Sequence, residues 1–203
     1  GYTAEYLGRA LKARGWRVAG TTRDVDKLRR MKAEGVEAFL FDEEIPLIDP
    51  ARILGETTHL LFSIPPENAG DLAFLLHGHD IAEIRGIEWA CYLSTTGVYG
   101  NRDGGWVSED SETRPETRRG ARRMRAEDQW LSLFHSYGLP VHIFRLAGIY
   151  GPGRSAIDSV RAGNARRIDK PGHAFSRIHI EDIIQVLLAS IEKPNPGRIY
   201  NLA

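Results

Sequence analysis

Residues 89–94 of this sequence, Trp-Ala-Cys-Tyr-Leu-Ser, form an apolar run that is followed by two polar residues, Thr95 and Thr96. A short apolar run without polar alternation predicts a strand that is buried on both faces. A second strand is predicted at Val141 to Leu146, after a long helical segment at Thr117 to Tyr137. Because a strand, a helix and a strand in this order form a crossover unit, the two strands are predicted to be parallel.

The same alternation continues towards both ends of the chain. Further strands are predicted at residues 16–21, 36–41, 59–63 and 198–202, and further helices end at Gly15 or span residues 25–34, 70–84 and 180–192. This pattern predicts an α/β fold, a doubly wound parallel sheet of the Rossmann type with helices on both faces. Such sheets bind ligands at the carboxyl ends of their strands, so candidate site residues are expected there.

Composition narrows the class of protein. The 203 residues are enough for one large domain, or for one domain and a small lobe. The 27 basic residues balance the 27 acidic ones, which argues against a nucleic acid or an anionic membrane as a partner. No apolar run approaches the roughly 18 residues that cross a membrane. The single cysteine, Cys91, cannot form an internal disulfide and lies among apolar neighbours, which predicts a core residue in a cytoplasmic protein.

The chain begins with Gly1-Tyr2-Thr3-Ala4, at the start of the first predicted helix. A dinucleotide fingerprint, G-x-G-x-x-G/A, joins a strand to a helix and lets a pyrophosphate approach the free N–H groups of that helix. If Gly1 is the second glycine, Ala4 takes the third position, and the first glycine and its strand are expected upstream. Because the chain also stops directly after a strand, we expect a longer protein to extend beyond both ends. A glycine that only caps the helix is the alternative interpretation.

Two charged residues follow the next predicted strands. NAD-specific sites commonly place an acidic residue after the second strand, whereas this sequence has Arg23, which suits the 2′-phosphate of NADP. The sequence therefore favours NADP over NAD, with a solvated residue at a helix start as the alternative for Arg23. Asp42 ends the following strand, where it is expected either to bind an adenine amino group or to cap a turn.

Three motifs occur in order along the second half of the chain. They are STTGVYG at residues 94–100, RLAGIYGPG at residues 145–153 and RIHIED at residues 177–182. This series resembles the extended short-chain dehydrogenase/reductases, the NAD-dependent epimerase/dehydratase family, over nearly the whole chain. The resemblance implies a Rossmann domain with a small C-terminal substrate lobe. It places the NAD(P)-binding domain at residues 1–150, part of the lobe at residues 151–180, and a returning helix and strand at residues 181–203.

The resemblance also implies roles for residues at the strand ends. Thr95 matches the Ser or Thr that hydrogen-bonds the reacting oxygen of the substrate. Cofactor contacts are implied for Ser63, Ile64 and Pro65 after one strand, and for Leu146, Ala147 and Gly148 beside the nicotinamide. A loop into the substrate lobe is implied for Tyr150, Gly151 and Pro152, and a structural or substrate-side pair for His179 and Asp182.

The catalytic pair of the family is absent. Members carry Tyr-x-x-x-Lys on the long helix, usually followed by a Glu four residues later, and this spacing puts the side chains on one face. Here Arg119 stands at the Tyr position and Arg123 at the Lys position, whereas Glu127 fits. A guanidinium stays charged near neutral pH and is a poor general acid or base. Arg119 is predicted to bind an anionic group and Arg123 the ribose hydroxyls, with a solvated basic helix face as the alternative.

Two functions remain open from the sequence. In the first, the protein is an NAD(P)-dependent oxidoreductase or epimerase for a small, sugar-like or anionic substrate, and the proton moves through Tyr99, Tyr150 or water. In the second, it binds NAD(P) as a sensor or scaffold. A nucleic-acid binder, based on the Arg-rich segments 118–125 and 161–167, is disfavoured because the chain is neutral. The resemblance further implies a homodimer formed through the long helix.

Overall fold

The computed structural model describes residues 1–166, 169 and 174–203, so Arg167 of the second Arg-rich segment lies outside the described residues. The helices are α1 (Tyr2–Ala13), α2 (Val25–Ala33), α3 (Pro50–Leu54), α4 (Leu72–Glu83), α5 (Arg118–Tyr137), α6 (Ala156–Arg161) and α7 (Ile180–Glu192). The strands are β1 (Ala19–Thr22), β2 (Glu37–Leu40), β3 (His59–Phe62), β4 (Trp89–Thr95), β5 (Val141–Leu146), β6 (Gly148–Tyr150), β7 (Arg177–His179) and β8 (Ile199–Leu202). A 3-10 turn spans Thr96–Tyr99. None of the helices in this part of the chain combines the length and the apolar character that a membrane span requires.

The strands pair in parallel throughout. Four of them form one sheet in the order β3-β4-β5-β8, and β1 pairs with β2 separately. Helices precede or follow these strands in the order expected for crossover connections. The predicted Rossmann-type α/β fold is therefore confirmed.

Both faces of the four-stranded sheet are covered by helices, because successive residues of a strand point to opposite faces. Trp89, Cys91 and Leu93 of β4 pack into one core with α7 and with α1. Ala90 and Tyr92, which alternate with them, pack into a second core with α4 and α5. Burial on both faces explains why β4 is an uninterrupted apolar run.

Some elements differ from their predicted extent. The strand predicted from residue 16 begins only at Ala19, and Trp16 instead packs edge-on against His59, with 4.6 Å between ring centroids. The elements α3, α6, β6 and β7 were not predicted, because they are three to six residues long and too short to show a period. Strands β6 and β7 pair with each other, apart from the main sheet, in the segment predicted to be the substrate lobe.

The main sheet is divided between β1 and β3. Among the described strands, β1 pairs only with β2, and β3 pairs only with β4. The N-terminal ends of β1 and β3 are nevertheless neighbours, because Trp16 contacts His59 and Arg17 forms a 3.0 Å ion pair with Glu56. The two parts of the sheet therefore lie close together at these ends.

Candidate functional site

The N-terminus of α1 is distinguished by its free N–H groups. Gly1 is its N-cap and offers no side-chain acceptor, whereas each of the other described helices, and the 3-10 turn, begins with a side chain that accepts a backbone N–H. A Cβ built on Gly1 would lie 3.9 Å from Ser63 Oγ, so the start of α1 lies beside the end of β3. The structure thus brings Gly1 and Ser63, two of the predicted cofactor residues, to one place. Thr3 is buried beneath them.

The segment after β3 is held by α5. Ser63 and Ile64 are half-buried and Pro65 is exposed. Three residues further on, Asn68 Oδ1 accepts hydrogen bonds from Arg122 Nε and Nη2 at 2.9 and 2.6 Å, and its carbonyl accepts from Arg125 Nη1 at 2.9 Å. Two arginines of the predicted basic helix face are therefore used to fix the loop that follows the predicted cofactor turn.

The charged residues after β1 and β2 have different surroundings. Arg23 is exposed and forms no ion pair with any residue that the structure describes. The neighbouring Asp24 caps α2, accepting the N–H of Lys27 at 2.7 Å, and this hydrogen bond lowers the pKa of its carboxyl group. Asp42 Oδ1 accepts the N–H groups of Glu44 and Ile45, both at 2.9 Å. The geometry of Asp42 is thus that of a turn cap, while the guanidinium of Arg23 is free to meet an anion.

Thr95 ends β4 at the same edge of the sheet. Its Oγ1 accepts the N–H of Gly97 at 3.1 Å, which begins the 3-10 turn and leaves the hydroxyl hydrogen available to donate. Helix α5 packs closely against this turn, because a Cβ on Gly120 would lie only 2.9 Å from the carbonyl oxygen of Gly97. The half-buried Thr95 therefore has a fixed position.

The segment after β5 separates the main sheet from β6. Leu146 and Ala147 are buried, and the Ala147 N–H donates to the carbonyl of Leu202 at 2.8 Å. Gly148 begins β6 opposite Arg177, and a Cβ there would lie 2.0 Å from Arg177 Nη1. The Arg177 guanidinium thus lies directly over the backbone of Gly148, and a side chain at position 148 would displace it.

The two arginines at the positions of the catalytic pair have separate environments. Arg119 is exposed and has no hydrogen bond or ion pair within the described ranges. Arg123 Nη1 donates to the carbonyl of Leu93 and, at 3.3 Å, to Tyr92 Oη, and its guanidinium lies 5.7 Å from the Tyr92 ring centroid. Burial raises the pKa of Tyr92, against the opposing charge of Arg123, so this phenol stays protonated. Arg123 thus fastens α5 to β4.

A polar row crosses three neighbouring strands beneath the carboxyl edge. The row consists of Ser94, Arg145 and Asn201, which are paired positions of β4, β5 and β8. Arg145 donates from Nε and Nη2 to the Glu127 carboxylate, at 3.1 and 2.7 Å, and Ser94 Oγ donates to the same carboxylate. Arg145 Nη1 also donates to Tyr99 Oη at 2.8 Å, and Tyr99 donates to Asn201 Oδ1 at 2.8 Å.

Apart from the half-buried Asn201, the polar row and its partners are almost completely buried. Glu127 is 2% and Arg145 4% exposed. Burial alone would lower the pKa of Arg145, but the hydrogen bonds and charge of Glu127 outweigh it and raise that pKa. Because the Tyr99 hydroxyl is buried and bonded on both sides, the structure removes Tyr99 from the candidates for substrate protonation.

A cleft of about 440 Å³ opens beside the polar row, between β6, β7 and the end of β8. Its polar lining includes Tyr150, Arg177, His179, Asp182 and Asn201. Tyr150 is 44% exposed, and its ring lies 5.0 Å from that of His179. His179 Nδ1 accepts the Glu181 N–H at 3.4 Å and so caps α7, which is the structural role expected for it.

Sequence reasoning identified Glu127 and Arg145 as parts of motifs but missed that they pair. A signal was present, because β5 reads Val-His-Ile-Phe-Arg-Leu and all of it is buried. An arginine in such a strand needs a buried acidic partner, since charged side chains are almost never buried alone. Glu127, within the apolar stripe of α5, is the carboxylate that meets this need.

Known proteins resemble this chain over its whole length. It is 29% identical to Protein YeeZ of Escherichia coli (strain K12), of which it covers 74%. A functionally unknown conserved protein from Silicibacter pomeroyi is 46% identical, with a TM-score of 0.88 over 100% of this chain and 69% of that one. A mutant UDP-glucuronic acid 4-epimerase from Bacillus cereus, solved with NAD, is 18% identical, with a TM-score of 0.80 over 100% and 74% of the two chains. The NAD dependent epimerase/dehydratase family matches residues 79–203, and the chain belongs to this family.

Proposed function

We propose that this chain binds NAD(P) at the shared carboxyl edge of its strands. The observation that carries the proposal is the uncapped N-terminus of α1, which lies beside Ser63 at the end of β3. Free N–H groups and the helix dipole favour an anion at this position, and Gly1 leaves room for a pyrophosphate to approach. The residues present therefore fit the cofactor with which the Bacillus cereus epimerase was solved.

We infer a preference for NADP from the end of β1. Arg23 is exposed and unpaired among the described residues, and Asp24 uses its carboxylate to cap α2. An acidic side chain that could bind the 2′-hydroxyl of NAD is thus engaged elsewhere, while a guanidinium that suits a 2′-phosphate is free. NAD as the cofactor is the alternative.

The proposed reaction is an epimerase- or dehydratase-like oxidation and reduction of a small anionic or sugar-like substrate. A bound nicotinamide would supply hydride transfer. Thr95 keeps its hydroxyl hydrogen available and would polarise the substrate oxygen. In the neighbouring cleft, Arg177 offers a positive charge for an anionic group, and the exposed Tyr150 is the remaining phenol that could exchange a proton with the substrate.

We propose that residues 1–150 form the NAD(P)-binding domain, that residues 151–180 belong to the substrate lobe, and that residues 181–203 return to the sheet. A fingerprint turn joins a strand to the helix that binds the phosphates, and in the usual order that first strand lies between the second and the fourth. Strands β1 and β3 are those neighbours, and they do not pair with each other. This gap between β1 and β3 supports a phosphate-binding turn at the start of α1.

One observation favours the second function, a sensor or scaffold that binds NAD(P) without the family's proton chemistry. The Arg123 guanidinium is engaged by Leu93 and Tyr92, and Arg119 cannot act as a general acid near neutral pH. The proton-transfer pair has thus been replaced by groups that fasten α5 to the sheet or remain solvated.

Calorimetry of the full-length protein with NADPH and NADH tests the binding proposal. Heat with either cofactor, and a lower Kd for NADPH, is the expected result, whereas no heat with either at millimolar concentration would overturn it. Turnover is then assayed with a panel of nucleotide sugars and sugar acids. Thr95→Val should abolish it while cofactor binding survives, and Thr96→Val, the same change one residue away, should leave it unchanged. Turnover that survives Thr95→Val contradicts the assigned role, and binding without any turnover supports the sensor.

A further inference from the structure

Tyr2 links the start of α1 to the segment that leads into the substrate lobe. It is the first residue of α1, inside the proposed phosphate turn. Its hydroxyl donates to the carbonyl oxygen of Pro152 at 3.0 Å, across 150 positions of sequence. The Arg154 guanidinium lies 5.5 Å from the centroid of the same ring, within range of a cation–π contact. One side chain of the proposed cofactor turn therefore makes two polar contacts with the lobe segment.

The lobe segment has a backbone shape that admits this contact. Gly151 has a φ of +158°, and a Cβ there would lie 2.7 Å from the Tyr2 hydroxyl and 2.5 Å from Ile180 Cγ2. The turn is closed by reciprocal hydrogen bonds between Gly151 and Arg154, at 3.2 and 2.9 Å. A side chain at position 151 would thus displace the tyrosine, which makes the approach of Tyr2 a specific feature of this turn.

The turn continues directly from the wall of the cleft. Tyr150, the residue before it, is the last residue of β6 and lines the cleft with His179 of β7. A change in the mobility of residues 151–154 would therefore alter the mobility of the cleft wall, because one peptide bond joins Gly151 to Tyr150.

We propose that Tyr2 is a positioning residue that couples the cofactor site to the substrate lobe. The proposal rests on the proposed NAD(P) binding at the start of α1. A cofactor that fixes the first turn of α1 also fixes the Tyr2 side chain, which then holds the turn 151–154 and the adjoining cleft wall. Such coupling requires no large movement, because ordering one site lowers the entropic cost of ordering the next. It is reciprocal, so a ligand in the cleft would tighten cofactor binding by the same factor.

Hydrogen exchange of the full-length protein, with and without saturating NADPH, tests this coupling. In the wild type, NADPH should slow exchange in a peptide covering residues 149–156. A single neutral hydrogen bond shifts an opening equilibrium by about two- to tenfold, which sets the size of the expected slowing. Tyr2→Phe removes only the hydroxyl and should abolish most of this slowing while NADPH still binds. Tyr137→Phe makes the same change at the exposed end of α5 and should leave it intact.

The outcomes separate this inference from the proposed function. If calorimetry detects no binding of NADPH or NADH, the proposed function fails and the coupling fails with it. If NADPH binds both proteins and slows residues 149–156 equally in Tyr2→Phe and the wild type, the coupling is wrong while cofactor binding stands. A loss of slowing in Tyr137→Phe as large as that in Tyr2→Phe would also overturn the role of the Tyr2 hydroxyl.

Discussion

Replacing Glu127 by glutamine removes the charge that balances Arg145 without changing the volume of the side chain. The Glu127 carboxylate accepts from Arg145 Nε and Nη2 and from Ser94 Oγ. A glutamine retains one acceptor oxygen and places an NH₂ group where the second oxygen was. At least one donor of a buried guanidinium then loses its acceptor, and the positive charge has no counter-ion.

The expected loss follows from the burial of both partners. Glu127 and Arg145 are 2% and 4% exposed, so solvent screens their interaction very little. Breaking such a pair from one side costs about 3–5 kcal/mol, because an uncompensated charge remains in the interior. Whole domains are stable by only about 5–15 kcal/mol. Glu127→Gln should therefore lower Tm by roughly 6–20 °C, at about 2–4 °C per kcal/mol for a chain of this size.

Tryptophan fluorescence during urea unfolding measures this loss. Trp130 is fully buried and stacked on Phe62, with 3.6 Å between ring centroids, so its emission should change when α5 leaves the sheet. Asp128→Asn is the matched control, because it neutralises the next carboxylate of α5 on the exposed side and should change stability by less than about 0.5 kcal/mol.

A milder variant tests the same network if Glu127→Gln does not fold. Tyr99→Phe removes one hydroxyl from the same network and should cost about 1–3 kcal/mol, since it leaves Arg145 Nη1 and Asn201 Oδ1 short of a partner. If Glu127→Gln costs less than about 1 kcal/mol while Tyr99→Phe is equally neutral, the polar row does not stabilise the carboxyl edge and the reasoning is refuted.

Three further predictions concern single side chains. Burial lowers the folded-state pKa of His142, whose Nε2 accepts the Asn195 N–H. Because the unfolded chain then binds the proton at a higher pH than the folded chain, the free energy of unfolding should fall as the pH drops below about 6.5. His142→Gln should flatten this fall, which urea titrations at several pH values measure. Asp71→Ala removes the buried cap of α4 and should lower the free energy of unfolding by about 1–2 kcal/mol in the same assay, and an unchanged midpoint would contradict the capping role. Arg23→Ala should weaken NADPH binding about tenfold in calorimetry and leave NADH binding unchanged, whereas an equal effect on both would remove the 2′-phosphate role.

The fold could be predicted because its central elements carry strong periodic signals. Strand β4 is a continuous apolar run over residues 89–93, and β5 is apolar at four of its six positions. The predicted ends of β5 and α7 are those of the structure. The small sheet of β6 and β7 was not predicted. Each strand has three residues, and the two strands pair across about 30 positions of sequence, from Gly148 opposite Arg177 to Tyr150 opposite His179. No local pattern records such a contact.

The sequence predicted where the candidate site residues lie in the fold, but not which residues they contact. Motifs place Thr95, Ser63 and Gly1 at strand or helix ends, and the structure puts Gly1 beside Ser63. The hydrogen bond between Tyr99 and Asn201 spans 102 positions, and no spacing rule connects residues so far apart. The roles of the cofactor residues and the homodimer through the long helix stay predictions.

The arginines of α5 show why the position of a side chain can be predicted from sequence while its contacts cannot. A run of basic residues on a helix has the same appearance whether the side chains are solvated or engaged. Here Arg122 and Arg125 hold Asn68, and Arg123 holds the end of β4. Arg118 and Arg119 are exposed and have no partner among the residues that the structure describes. A guanidinium group has five N–H donors in a planar arrangement, whereas an ammonium group has three and a phenol has one, so an arginine can bond more carbonyl oxygens at once. In this chain Arg122, Arg123 and Arg125 thus fasten the loop after β3 and the end of β4, which border the proposed cofactor site.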